Sequence, residues 1–116
     1  WIQTDVSTSV LNKGDYARLG NNQMLVADPQ SGITQRFLTG PNGCEITGIT
    51  STPDGRSLFV NIQHPGETAS ERSNPANPTA ISAWPANQFP AAVGGRPRSG
   101  TLVITRQDGK EISSSR

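Results

Sequence analysis

Residues 40–67, GPNGCEITGITSTPDGRSLFVNIQHPGE, decide how this chain is read. Glu45 to Ser51 is a short β-prone run, with Ile46, Gly48 and Thr50 placed to face one way and Thr47, Ile49 and Ser51 the other. Thr52-Pro53-Asp54-Gly55 spells a turn, because proline presets φ, aspartate bonds neighbouring backbone and glycine accepts positive φ. Ser57 to Gln63 then supplies an apolar return strand through Leu58, Phe59, Val60 and Ile62. The predicted unit is a β-hairpin. Its entrance carries the carboxylate Glu45, and its exit carries Asn61, Gln63, His64 and Glu67. Entrance and exit of a hairpin share one end, so these polar groups are expected to converge there.

Upstream of the hairpin, Trp1 to Val6 alternates apolar and polar residues like a half-buried strand. Residues 7–22 are polar and glycine-containing, which predicts loop with one helical turn around Tyr16 to Leu19. Gln23 to Ala27 reads as a strand, Asp28 to Gly32 as a turn and Ile33 to Leu38 as the returning strand. Downstream, Pro65 to Ser99 is a long loop with six prolines, whose one apolar island at Ala80 to Pro85 brings Trp84 back onto the sheet. Thr101 to Thr105 is a further strand, 107–109 a turn and 110–112 a short return, followed by a frayed tail at 113–116. The expected core is Phe59, Val60, Ile62, Leu102 and Ile104. Short strands, regular turn signals and almost no helix predict an all-β protein of antiparallel hairpins, with propeller blades favoured over sandwich or barrel.

Composition narrows the function. A chain of 116 residues with 32% hydrophobic residues forms at most one domain with a lean core. Its net charge of +1 gives no electrostatic basis for nucleic acid or an anionic membrane. No apolar run approaches the roughly 20 residues a membrane-spanning helix needs. The chain opens on Trp1 within an apparent strand, without start methionine or charged leader, and is therefore expected to be a piece of a longer protein. Lone Cys44 excludes an internal disulfide and reads as a small semi-buried residue. One histidine and no Gly-x-Ser-x-Gly argue against a hydrolase triad, and phosphate-loop, zinc and EF-hand motifs are absent.

A series of landmarks then carries a resemblance. In order, they are Trp1 to Asp5, Leu25 to Asp28, Arg36-Phe37, Glu45 to Gly48, Thr52 to Gly55, Phe59 to Glu67, Trp84-Pro85 and Pro97 to Ser99. Together they resemble the C-terminal portion of the PhoX-type alkaline phosphatases and their bacterial relatives of unassigned function, with FVNIQHPGE the most specific run. The resemblance implies the last two or so blades of a propeller of about six, a fragment rather than a closed ring. It also implies a periplasmic parent that hydrolyses phosphomonoesters at a calcium- and iron-containing centre.

On that resemblance Glu45, in its Glu-x-Thr-Gly setting, becomes the leading metal-ligand candidate, its plain alternative being an exposed carboxylate at a strand start. Asp5 is a second ligand candidate, or else a turn cap. His64 and Arg98 are the catalytic candidates. His64 would orient or protonate a phosphate oxygen and Arg98 would clamp phosphate, against the plainer readings of turn histidine and solvated loop. Glu67 is read as solvating its loop or capping a turn. The family's cysteine ligand comes from an upstream segment, so Cys44 does not inherit it. The fragment is expected to be inactive alone, to lack a complete metal complement and to self-associate through exposed sheet edges. The competing function is a non-catalytic propeller segment serving as scaffold.

Overall fold

The computed structural model of this protein describes residues 1–67, 74–88 and 95–112. Among these residues six strands form two antiparallel three-stranded sheets. The first sheet contains β1 (Ile2–Gln3), β2 (Gln23–Ala27) and β3 (Thr34–Thr39), in that order. The second contains β4 (Glu45–Ser51), β5 (Ser57–Gln63) and β6 (Gly100–Thr105), again in chain order. The fold is all-β, as the sequence predicts, and the two sheets stand as an open pair of blades. The helical content among the described residues is one 3₁₀ turn at Gly14–Tyr16, just upstream of the turn expected at Tyr16 to Leu19.

The central hairpin forms with the expected strand limits. Its turn is closed by the Gly55 amide donating to the Thr52 carbonyl at 2.9 Å. The Thr52 hydroxyl donates to Asp54 Oδ1 at 2.6 Å and accepts the Ser57 amide at 3.1 Å. These bonds hold the Asp54 carboxyl below its ordinary value of 3.8, the Thr52 hydroxyl having the largest effect and the Arg56 amide the next.

The facing pattern of β4 departs from simple alternation. Pairing steps from Thr47↔Asn61 to Ile49↔Val60, leaving Gly48 as an extra residue at φ +55. A glycine in the left-handed region makes this bulge possible, and a bulge shifts every later side chain to the opposite face. Ile46 and Ile49 therefore both turn to the core, whereas strict alternation would have separated them.

The core runs between the two sheets. Met24 from β2 meets Cys44 and Ile46 at the start of β4, with Leu58, Val60 and Ile62 from β5 and Trp84 from the long loop. Leu38, Ile49, Leu102, Ile104 and Ile112 pack partly buried around them. Trp84 docks as expected: its carbonyl accepts the Arg98 amide at 3.1 Å, and its ring lies over Gly100 at the start of β6. Phe59 is a correction. The alternation of β5 buries Leu58, Val60 and Ile62, so Phe59 lies on the opposite, partly exposed face. The reading had the right strand and the wrong member of the Leu58–Phe59 pair.

At the margins the differences are small. The first strand is two residues rather than six, because beyond Gln3 the chain leaves the ladder to bond the Asn22 side chain. Residues 110–112 form no strand, and the Ile112 amide instead donates to Gly55 at 2.9 Å. The outer strand β3 is exposed at every position except Leu38. The expectations for the tail 113–116 and for 68–73 and 89–94 of the long loop lie outside the described residues.

Met24 is fully buried where the sheets meet, so Met24→Ala should cost about 2–5 kcal/mol through lost apolar burial and the cavity left behind. Urea denaturation of the two proteins measures this directly. A change below about 0.5 kcal/mol, the range of surface substitutions, would contradict the inter-sheet core.

Candidate functional site

Three segments meet beside the start of β4. The ladder fixes Glu45 opposite Gln63, so the hairpin's entrance and exit do converge. The Gly66 amide donates to the Asn42 carbonyl at 2.8 Å, laying the 64–67 turn against the loop before β4. Gly43 permits this approach: a Cβ there would lie 2.9 Å from the Glu67 amide nitrogen and collide with the Glu67 carbonyl. From the first sheet, the segment following β1 brings Asp5 to the same place.

The result is a recess of about 430 Å³. Its wall holds the carboxylates Asp5, Glu45 and Glu67 and the hydroxyl residues Ser7, Thr8 and Ser9, with Asn22 and Cys44 also lining it. A larger concavity of about 620 Å³, lined mainly by apolar residues such as Trp1, Val26, Ile33 and Phe37 with Asp28 as its one carboxylate, shares no residue with it. The gathering of several carboxylates belongs to the smaller recess.

Electrostatics mark Glu45 as the crowded member. Desolvation first, then the charges of Asp5 and Glu67 and a side-chain hydrogen bond with Asp5, push its carboxyl above the usual value of 4.5; His64 acts in the opposite direction. Cys44 is buried, and burial raises its thiol to about 11, so it is protonated at neutral pH and unsuited to metal binding without a further ion to displace the proton. That agrees with its reading as a small packed residue.

The donor set itself tests the fit to a metal. Carboxylate and hydroxyl oxygens suit calcium and ferric iron, and poorly suit soft cations. Among the described residues no group of three or more His, Cys, Asp and Glu is arranged to hold an ion. The residues present therefore fit part of a hard-cation site, a carboxylate pair with a third acid nearby, and not a full coordination shell.

The catalytic candidates fall elsewhere. His64 has φ +50, its amide donates to Ser99 Oγ at 3.1 Å, and its Nε2 accepts the Gln63 side-chain amide at 2.9 Å. Its carbonyl accepts the Glu67 amide at 3.0 Å, closing the turn that delivers Glu67. Its ring bonds Gln63 rather than the Pro65–Gly66 turn. Arg98 is exposed and lies outside the lining of the recess. The sequence brings Glu45 and Asp5 forward as ligands and places Glu67 in the set converging at the hairpin mouth, but assigns Glu67 only to loop solvation or turn capping and does not single out Asn22 or 7–9. The Gly43 and Gly66 pair was the available signal for Glu67, since it marks where two backbones touch.

An open pair of antiparallel sheets with carboxylates gathered at the strand ends is the class of unit that fold and site define. The family model for alkaline phosphatase PhoX matches residues 1–66, and the chain belongs to that family. Among solved structures it is similar to Pseudomonas fluorescens PhoX in complex with vanadate, a transition state analogue, at 46% identity and a TM-score of 0.73. That match covers 97% of this chain and 16% of the other, so the chain spans a small part of that relative's length. Comparison with curated proteins gave no match.

Glu45 supplies a test that needs no metal. It keeps its proton to higher pH when folded than when unfolded, so stability falls as pH rises from about 4.5 through its raised value. In metal-free protein, Glu45→Gln should raise the melting temperature at neutral pH, and the gain should shrink as pH falls toward 4.5. Equal stability of the two proteins at every pH would show that the crowding of carboxylates costs nothing.

Proposed function

We propose that this chain contributes a hard-oxygen wall to the metal centre of a phosphomonoesterase, Glu45 and Asp5 being ligands and Glu67 reinforcing their charge. One observation carries the reading: Asp5, just after the first sheet's β1, and Glu45, at the start of the second sheet's β4, share one recess within the stretch that the phosphatase family model matches. Bringing like charges together costs stability unless a cation offsets it, so the arrangement favours occupancy by a metal.

Calcium or ferric iron held there would neutralise a phosphate ester's charge and activate the attacking oxygen. The residues of this chain bind and orient. Asp5 and Glu45 bring their carboxylates within hydrogen-bonding reach of each other in the recess, and Ser7, Thr8 and Ser9 add hard donors to its lining. His64 sets the turn that places Glu67. The lining of the recess includes no Lys, Arg or His to clamp phosphate or to activate a hydroxyl, so turnover depends on the rest of the parent chain. The solved relative's complex with vanadate supports a phosphate ester as the substrate class.

Two measurements test this together. In the full-length protein, Glu45→Gln should lower both bound metal and phosphomonoester turnover by at least about tenfold, as loss of a ligand does; full activity with full metal content would refute the assignment. The isolated 116 residues should show no turnover. Calcium should raise the melting temperature of the unsubstituted full-length protein, and raise it less in Glu45→Gln, because a ligand bound only by the folded state stabilises it.

A further inference from the structure

The deepest polar side chain near the recess belongs to neither carboxylate. Asn22, just before β2, is 2% exposed and uses its entire hydrogen-bonding capacity. Its Oδ1 accepts the Thr4 hydroxyl at 2.9 Å and the Val6 amide at 2.8 Å. Its Nδ2 donates to the Val6 carbonyl at 3.0 Å and to the Cys44 carbonyl at 2.9 Å. The partners are not scattered. Thr4 and Val6 flank Asp5 on both sides, and Cys44 immediately precedes Glu45.

One amide therefore grips the backbone around both carboxylates at once. Thr4 is further fixed by accepting the Gln23 amide on its hydroxyl at 2.8 Å and by donating its own amide to the Gln23 carbonyl at 2.9 Å. The chain between Thr4 and Val6 has left the β1 ladder, so these bonds, rather than strand pairing, set where Asp5 stands. Cys44 likewise precedes the first residue of β4. Neighbouring bonds from the Asn21 side chain to the Gly40 carbonyl at 3.2 Å and to Asn42 Oδ1 at 2.8 Å also tie the first sheet to the loop before β4, but they do not reach the residues that flank Asp5 and Glu45.

We propose that Asn22 is a positioning residue: its buried amide fixes Asp5 and Glu45 relative to each other so that the pair is pre-organised for one cation. The proposal rests on reading those carboxylates as ligands. Outer groups that orient ligands typically contribute 10–100-fold to metal affinity, because a site assembled on binding loses the ordering cost from its affinity.

The test is calcium affinity by calorimetry on metal-depleted full-length protein, taking the binding component that Glu45→Gln abolishes. Asn22→Ala should weaken that component about 10–100-fold. Met24→Ala, which opens the neighbouring core but touches none of these bonds, should lower the melting temperature and leave calcium affinity within about twofold. Should Asn22→Ala fail to fold, Thr4→Val, which removes the bond to Oδ1 together with the one from the Gln23 amide and keeps the side chain's shape, carries the comparison with an expected loss of several-fold.

Unchanged calcium affinity in the foldable Asn22 or Thr4 variant overturns the proposal while leaving the ligand reading intact. Equal losses in Met24→Ala and the Asn22 variant also overturn it, by showing a general effect of destabilisation. No component sensitive to Glu45→Gln in the unsubstituted protein would remove the ligand reading and the proposal together.

Discussion

The two sheets of this protein are joined by a narrow seam, and the rest of the structure depends on it. Met24 and Asn22 sit two residues apart where the chain enters β2. Met24 buries its side chain against Cys44 and Ile46, while Asn22 satisfies four backbone and side-chain groups that burial would otherwise leave unpaired. An apolar contact supplies most of the stabilisation but no direction. The amide adds direction, because its donors and acceptors are met only in one arrangement of the Thr4–Val6 segment against Cys44.

That seam ends at the carboxylate recess, and the two have opposite effects on stability. Packing of the seam favours folding, whereas desolvation of Glu45 and then its crowding by Asp5 and Glu67 oppose it by raising the Glu45 carboxyl. Sites that hold cations commonly carry such strain, because charges that repel in the empty protein become attractive once an ion lies between them. On the ligand reading proposed above, the seam beneath this repulsive rim is what would keep the oxygens in place when no ion is present to organise them.

Much of this was legible in the sequence, for local reasons. Thr52-Pro53-Asp54-Gly55 contains its own turn chemistry, and the apolar alternation of β5 needs no partner to be recognised. Both strand limits of that hairpin were therefore readable, as was the convergence of Glu45 with Gln63. The Phe59 error is equally local in origin: period-two alternation is visible in Leu58-Phe59-Val60, but its phase is set by which face meets Met24 and Trp84. The Gly48 bulge was hidden for the same reason, since a glycine in a strand is compatible with alternation until the partner strand imposes a register.

The sequence by itself determined the strand inventory, the turns and the all-β class, because each is encoded within a few neighbouring residues by backbone preference and hydrophobic period. It also indicated Glu45 and Asp5 as candidates, Glu45 by its setting at the hairpin mouth and by family resemblance, Asp5 by its place at a strand end. Only the tertiary structure decided that these two, forty residues apart, share a recess with Glu67, and that Asn22 rather than His64 or Arg98 lies beneath them. The reason is physical: a hydrogen bond across that separation leaves no periodic trace in the chain, and exists only once apolar burial has brought the two sheets together.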